Sequence, residues 1–103
     1  MRLIKDLCDD IRENIREARD KIDRAYALRD ECKAAAEWYR SMAEAHLNFN
    51  AAGHEAVTRA IEDYKKKGQH SLLEPGMMAV YDVIHADLVQ ETNEVRWMIE
   101  QFK

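Results

Sequence analysis

The sequence predicts an all-α chain, folded as an antiparallel three-helix bundle with a long central helix. Three observations predict it. Breakers are scarce, with three glycines and one proline in 103 residues, a composition that favours long helices over sheets. Apolar residues recur three and four apart in three successive stripes, the spacing of one helix face. The Gly- and Pro-containing stretch GQHSLLEPG, residues 68–76, separates the second stripe from the third and reads as a linker. With 47% hydrophobic and 35% charged residues, the chain has enough apolar material for a packed core and is not of a disordered composition.

The first helix is expected over about residues 2–29. Its stripe is Leu3, Leu7, Ile11, Ile15, Ala18, Ile22 and Ala25. Glu17 with Lys21 and Asp20 with Arg24 stand four apart in the favourable acid-first order.

The second helix is expected over 32–67, on Cys32, Ala35, Ala36, Tyr39, Met42, Ala43, Leu47, Val57, Ala60, Ile61 and Tyr64. It ends at Lys65, Lys66 and Lys67, followed by Gly68. Cations in a last turn offset the helix dipole, and glycine suits a left-handed cap. The run therefore reads as a helix terminus, not a nucleic-acid patch. The boundary between the first two helices is weakly marked. ALRDECKA holds no Gly or Pro, and the apolar spacing crosses it almost in phase. One rod from 2 to 67 would be about 100 Å long at about 1.5 Å per residue, and its stripe would need a dimeric coiled coil. A turn at 28–31, with Asp30 capping the second helix, buries three stripes in one chain and is the preferred reading. The long second helix would still outrun its neighbours, which favours a homodimer.

The third helix is expected over 74–102, on Met78, Tyr81, Ile84, Leu88, Thr92, Val95, Ile99 and Phe102. Ser71 to Glu74 has capping-box spacing, which would place Pro75 in the first turn.

The central helix changes character at EAHLNFNAAGHE, residues 44–55. His46, Asn50 and His54 stack four apart, beside Gly53. As structure, they are polar residues satisfied inside a bundle, with Gly53 marking a kink or a close helix approach. As a site, they are a metal ligand set or a notch for a partner.

Motifs for chemistry are few. There is no Gly-rich phosphate loop and no nucleophile elbow, so no catalytic residue is assigned and the protein is not expected to be an enzyme. Metal-binding bundles use Glu-x-x-His because residues three apart share a face. This chain has only Asp82-Val83-Ile84-His85. A metal reading would combine His46, Asp82 and His85 with Glu91, or Glu44 in its place, around Fe, Mn or Zn. Without it, no cofactor is implied. Trp38 and Trp97 lie beside the stripes, as core edge or as interface anchors. The candidate interaction residues are Trp38, His46, Asn50, His54 and Trp97.

The net charge of −4, with acids and bases interleaved, excludes a surface built for nucleic-acid phosphates. No run approaches the roughly 20 apolar residues of a membrane span. The N-terminal MRLIKDLCDDIREN is charged within its first turns and does not read as a secretory leader. Cys8 and Cys32 form no disulfide framework and are expected as buried thiols. A cytoplasmic protein fits.

The stretch EWYRSMAEAHLNF, residues 37–49, resembles small ferritin-like proteins of the rubrerythrin type, which occur in bacteria and their phages. Trp38-Tyr39 and Met42-Ala43 match the aromatic pair and Met-Ala of that pattern. The family's metal-binding Glu falls on His46 and its His on Phe49. PGMMAVYDVIHADL, residues 75–88, resembles the start of the last helix in such proteins, with His85 retained. The resemblance implies a ferritin-like helical hairpin plus a third helix, with a degenerate di-iron motif. The expected function is a non-enzymatic protein-interaction module, phage-encoded, acting on a host protein. An acidic helical protein of this size suits the basic channel of a host-defence nuclease. The alternative is a ferritin-like protein with a non-standard His/carboxylate metal site.

Overall fold

Three helices run in the order α1 (Ile4–Leu28), α2 (Lys33–Lys67) and α3 (Met78–Phe102), with a 3-10 turn at Gly68–His70 after α2. They pack on one another as an all-α three-helix bundle, 56 × 22 × 15 Å in Cα extent. The structure, a computed structural model, describes residues 4–71, 73–74 and 76–103. The expected helix start at residue 2, Leu3 of the first stripe and the placement of Pro75 lie outside the described residues. None of the described helices is long and apolar enough to cross a membrane.

The three stripes meet in one core. Cys8, Ile11, Ile15, Ala18, Ile22 and Ala25 come from α1, Ala43, Leu47, Val57 and Ile61 from α2, and Tyr81, Leu88, Val95 and Ile99 from α3. Alanines at Ala18, Ala25, Ala36 and Ala43 are fully buried, and such small side chains let helix axes approach. Gly53 takes this further. A Cβ there would stand 2.8 Å from Ile11 Cδ1 and 3.0 Å from Ile11 Cγ1, so the glycine marks a close approach of α1 and α2. Alanine would gain about 1 kcal/mol of helix propensity and lose more to overpacking, typically about 1–3 kcal/mol. Gly53→Ala is therefore expected to lower stability by about 1 kcal/mol. Ile11→Val removes the clashing Cδ1. Alone it should cost about 1 kcal/mol; in the Gly53→Ala background it should cost nothing. Equal costs of Ile11→Val in both backgrounds, by urea unfolding, would refute the close contact.

The turn between α1 and α2 occupies Arg29–Glu31, as the preferred reading had it, and the continuous rod is excluded. It closes with backbone bonds alone: Glu31 N–H donates to Leu28 O at 3.1 Å and Cys32 N–H to the same carbonyl at 2.7 Å. Asp30 is not the cap. Cys32 holds the N-cap position with no side-chain bond, and Asp30 stands two residues too early, beside Arg29 at 3.8 Å. Cys32 is correspondingly exposed, whereas Cys8 is buried; burial, then the Asp9 carboxylate, raises the Cys8 thiol pKa.

Gly68 ends α2 with φ 55° and ψ −123°. The positive φ is as expected, but the ψ lies outside the left-handed helical region and turns the chain into the 3-10 segment. α3 starts four residues later than expected. Ser71 Oγ accepts from Leu73 N–H at 3.2 Å, a local turn in place of a capping box, and Met77 is the N-cap. Leu73 in this connection is buried, and Tyr64, Met77 and Met78 pack against the same core. The far end of α2 is thus partly covered from within the chain.

Candidate functional site

The polar stretch of α2 enters the bundle as two separate hydrogen-bonded groups. Asn50, 2% exposed, accepts at Oδ1 from Asn14 Nδ2 of α1 at 2.9 Å. His46 Nδ1 stands 3.4 Å from Asn14 Oδ1 and 3.5 Å from Glu17 Oε2. Both neighbours are acceptors, so Nδ1 carries the proton. The chain of donors ends on Asn50, whose Nδ2 has no partner among the described residues.

The second group joins α2 to α3. Thr92 Oγ1 donates to Leu88 O at 2.7 Å, which spends its one proton. His54 Nε2, 3.1 Å from the same oxygen, therefore donates to it, and the free lone pair lies on Nδ1. Burial, and then the neighbouring His85, lowers the His54 pKa, so the ring is held neutral. His85 Nε2 lies 3.0 Å from Thr58 Oγ1.

The residues of the metal reading are dispersed among these settings. His46 belongs with Asn14 and Glu17 on the α1 side, and His85 with Thr58. Asp82 is exposed and Glu91 half-buried, the latter in a small crevice with Arg12, Arg16 and Arg19. Among the described residues, no group of three or more His, Cys, Asp or Glu is placed to hold one ion. Phe49, at the position that the rubrerythrin-like pattern gives to a histidine, is 82% exposed.

That exposure belongs to a larger feature. Trp38 is 57% exposed and Trp97 63%, so neither packs as core edge, and Phe49 stands out from the same side of α2 as Trp38. On α2 the outer positions Ala34, Trp38, Ser41, Ala45, Asn48 and Ala52 are all exposed. They follow one another by four and three residues, the spacing of a coiled-coil seam, and none is charged. Phe49 flanks them. The charged residues of the same stretch, Glu37, Arg40 and Glu44, share a different edge, where Arg40 pairs with Glu44 at 3.5 Å and lies over the Phe102 ring at 5.8 Å.

α3 repeats the pattern. Ala79, Val83, Ala86, Gln90, Asn93 and Trp97 are exposed, uncharged and again four and three apart. Beside them a shallow depression of about 980 Å³ includes Ala86, Val89, Gln90, Trp97 and Met98 in its walls. The outer face of α1 is the opposite case, with Asp6, Asp9, Glu13, Arg16, Asp20 and Arg24 exposed. A chain that is 35% charged has thus concentrated charge outside α1 and kept it off the outer lines of α2 as far as Ala52 and of α3 from Ala79 to Trp97; beyond Ala52 the α2 line continues through the exposed Glu55, Arg59, Glu62 and Lys66. Exposed large apolar side chains grouped in this way mark interaction surfaces more often than chance scatter does.

Comparison with protein-family models, curated proteins and solved structures finds no match for this chain.

Of the sequence-derived interaction residues, Trp38 and Trp97 lie on these outer faces, whereas Asn50 is in the core and His46 and His54 are half-buried between helices. Phe49, Val83 and Val89 were missed as surface residues. Their signal was in the sequence: Phe49 and Val83 lie on the side of their helices away from the core stripe, and Val89 on its flank.

Proposed function

We propose that this chain is a non-enzymatic helical interaction module that docks an amphipathic helix of another protein on the outer face of α2. The single observation that carries this is the uncharged line Ala34–Ala52 with Trp38 and Phe49 standing out from it, 57% and 82% exposed. The small residues Ser41 and Ala45 between Trp38 and Phe49 let the knobs of an incoming helix sit between the two aromatic anchors. Aromatic residues are the commonest interface anchors, each presenting much apolar area at low entropic cost.

This chemistry fits a helix better than the basic channel of a nuclease. Such a channel needs a run of unpaired acids, whereas the acids outside α1 alternate with Arg16 and Arg24, and those two pair with Glu13 and Asp20. The partner would be cytoplasmic, and an origin in a phage acting on a host protein is compatible with a small binding module.

Affinity capture from extract of the source cells tests the proposal. A protein retained by the wild type should be lost with Trp38→Ala combined with Phe49→Ala, by at least about tenfold for two anchor residues. Both side chains are exposed, so thermal stability should move by less than about 1 kcal/mol. Retention unaffected by the double substitution would overturn this assignment of the surface.

A further inference from the structure

The outer face of α3 carries features that the α2 docking face does not need and that point to a specific occupant. We propose that it pairs with the same face of a second copy, α3 against α3 in antiparallel register.

The seam Ala79, Val83, Ala86, Gln90, Asn93 and Trp97 is close to self-complementary about its midpoint between Ala86 and Gln90. In the antiparallel pairing, Trp97 meets Ala79 of the second copy, Asn93 meets Val83, and Gln90 meets Ala86. Each end then sets the largest side chain against one of the smallest. A parallel pairing would set Trp97 on Trp97 and Ala79 on Ala79, with a clash at one end and a void at the other.

The flanking charges select the same register. On the flank toward α1, Asp87 is held by Arg12 at 3.1 Å and Glu94 by Arg19 at 2.8 Å. Asp82 and Arg96 lie on the other flank. Both are exposed, and neither has an ion-pair partner within the protomer among the described residues. Like flanks face each other in an antiparallel pair. Asp82 and Arg96 are placed almost symmetrically about the seam's midpoint, so Asp82 of one copy meets Arg96 of the other, twice. Val80 and Met98, on the flank toward α1, meet by the same symmetry. Val80, Val83 and Trp97 are 45%, 61% and 63% exposed in the single chain and would be covered together. This is an isologous twofold interface, the commonest kind in homodimers.

The seam is about 27 Å long at about 1.5 Å per residue. One helix pair of that length lies at the small end of specific interfaces, and the dimer is expected to dissociate on the order of 10 μM. The test is sedimentation equilibrium of the wild type, Asp82→Arg, Arg96→Asp and the double swap, each checked for folding by circular dichroism. Each single swap sets like charges opposite each other twice and should weaken the dimer at least about tenfold, with part of that loss removed by salt. The double swap restores opposite charges and should recover affinity to within about threefold of wild type. Trp38→Ala should leave the dimer unchanged, so failure of the α2 docking proposal and failure of this one are separate results. A wild-type monomer well above the expected dissociation constant overturns the pairing, whether or not another protein covers α3. So does a dimer indifferent to the single swaps, or a double swap no better than either single one.

Discussion

Leu88→Ala is expected to lower the stability of this protein by about 3 kcal/mol and its melting temperature by roughly 15 °C. Leu88 is fully buried midway along α3, on the stripe that continues through Tyr81, Val95 and Ile99. Truncation removes three carbons from water-free contact and leaves a cavity that fixed helix axes close only in part. A domain of this size has about 5–15 kcal/mol in all, so the loss is a large share of the total. The Leu88 carbonyl also accepts the Thr92 hydroxyl, but that bond is made by the backbone and survives the substitution. The loss should therefore appear as packing alone, independent of pH between about 5 and 8, where neither residue titrates. A change in melting temperature of only a few degrees would mean that α3 is less firmly docked than the buried stripe implies.

Asn50→Asp should cost a similar amount, with a different signature. Asn50 is 2% exposed and receives one hydrogen bond, from Asn14. A carboxylate there keeps that bond and adds a charge to a buried site that now holds a neutral amide pair, a change worth about 3–5 kcal/mol where the charge stays unpaired. Burial would raise the new carboxyl's pKa in the folded state above the roughly 3.9 of an unfolded chain. Below that pH the group is protonated in both states and the deficit is smallest. As pH rises, the unfolded chain releases its proton first, so stability relative to wild type falls until the folded-state pKa is passed. Urea unfolding between about pH 4 and 7 should show the gap widening with pH. A constant gap would mean that the carboxylate finds water or a cation at this site.

Much of the fold was legible because each helix carries one long stripe at constant phase. Ile11, Ile15, Ile22, Leu88, Val95 and Ile99 are core residues by spacing alone and by burial. The turn at Arg29–Glu31 was harder to read. It uses no positive-φ residue, and its bonds are made by Leu28, Glu31 and Cys32 backbone, so no residue type announces it. The late start of α3 was hidden for a related reason: Ser71 bonds two residues ahead, and a hydroxyl that caps a helix or closes a turn looks the same in sequence.

The candidate site was legible in part. Trp38 and Trp97 were recognisable as anchors, but the histidines between them drew attention inward. His46 and His54 proved to be tied to Asn14, Glu17 and Thr92, partners from other helices that spacing within α2 does not reveal. Phe49 was read only against the ferritin-like pattern, whereas its position follows Trp38, Ala45 and Ala52 on the far side of the helix. An uncharged outer line is an absence of charge, and it gains meaning only once the core side of each helix is known.

The two tryptophans of this chain each report one of the two uncharged faces, Trp38 on α2 and Trp97 on α3. Fluorine NMR of the protein labelled with fluorotryptophan therefore reads both faces in one spectrum. The Trp97 signal is expected to move with protein concentration as α3 pairs, while the Trp38 signal stays put until extract of the source cells is added and then shifts and broadens. If the Trp38 signal keeps its free-protein position and width in that extract, the α2 face binds nothing there, and the reading of this protein as an interaction module is contradicted.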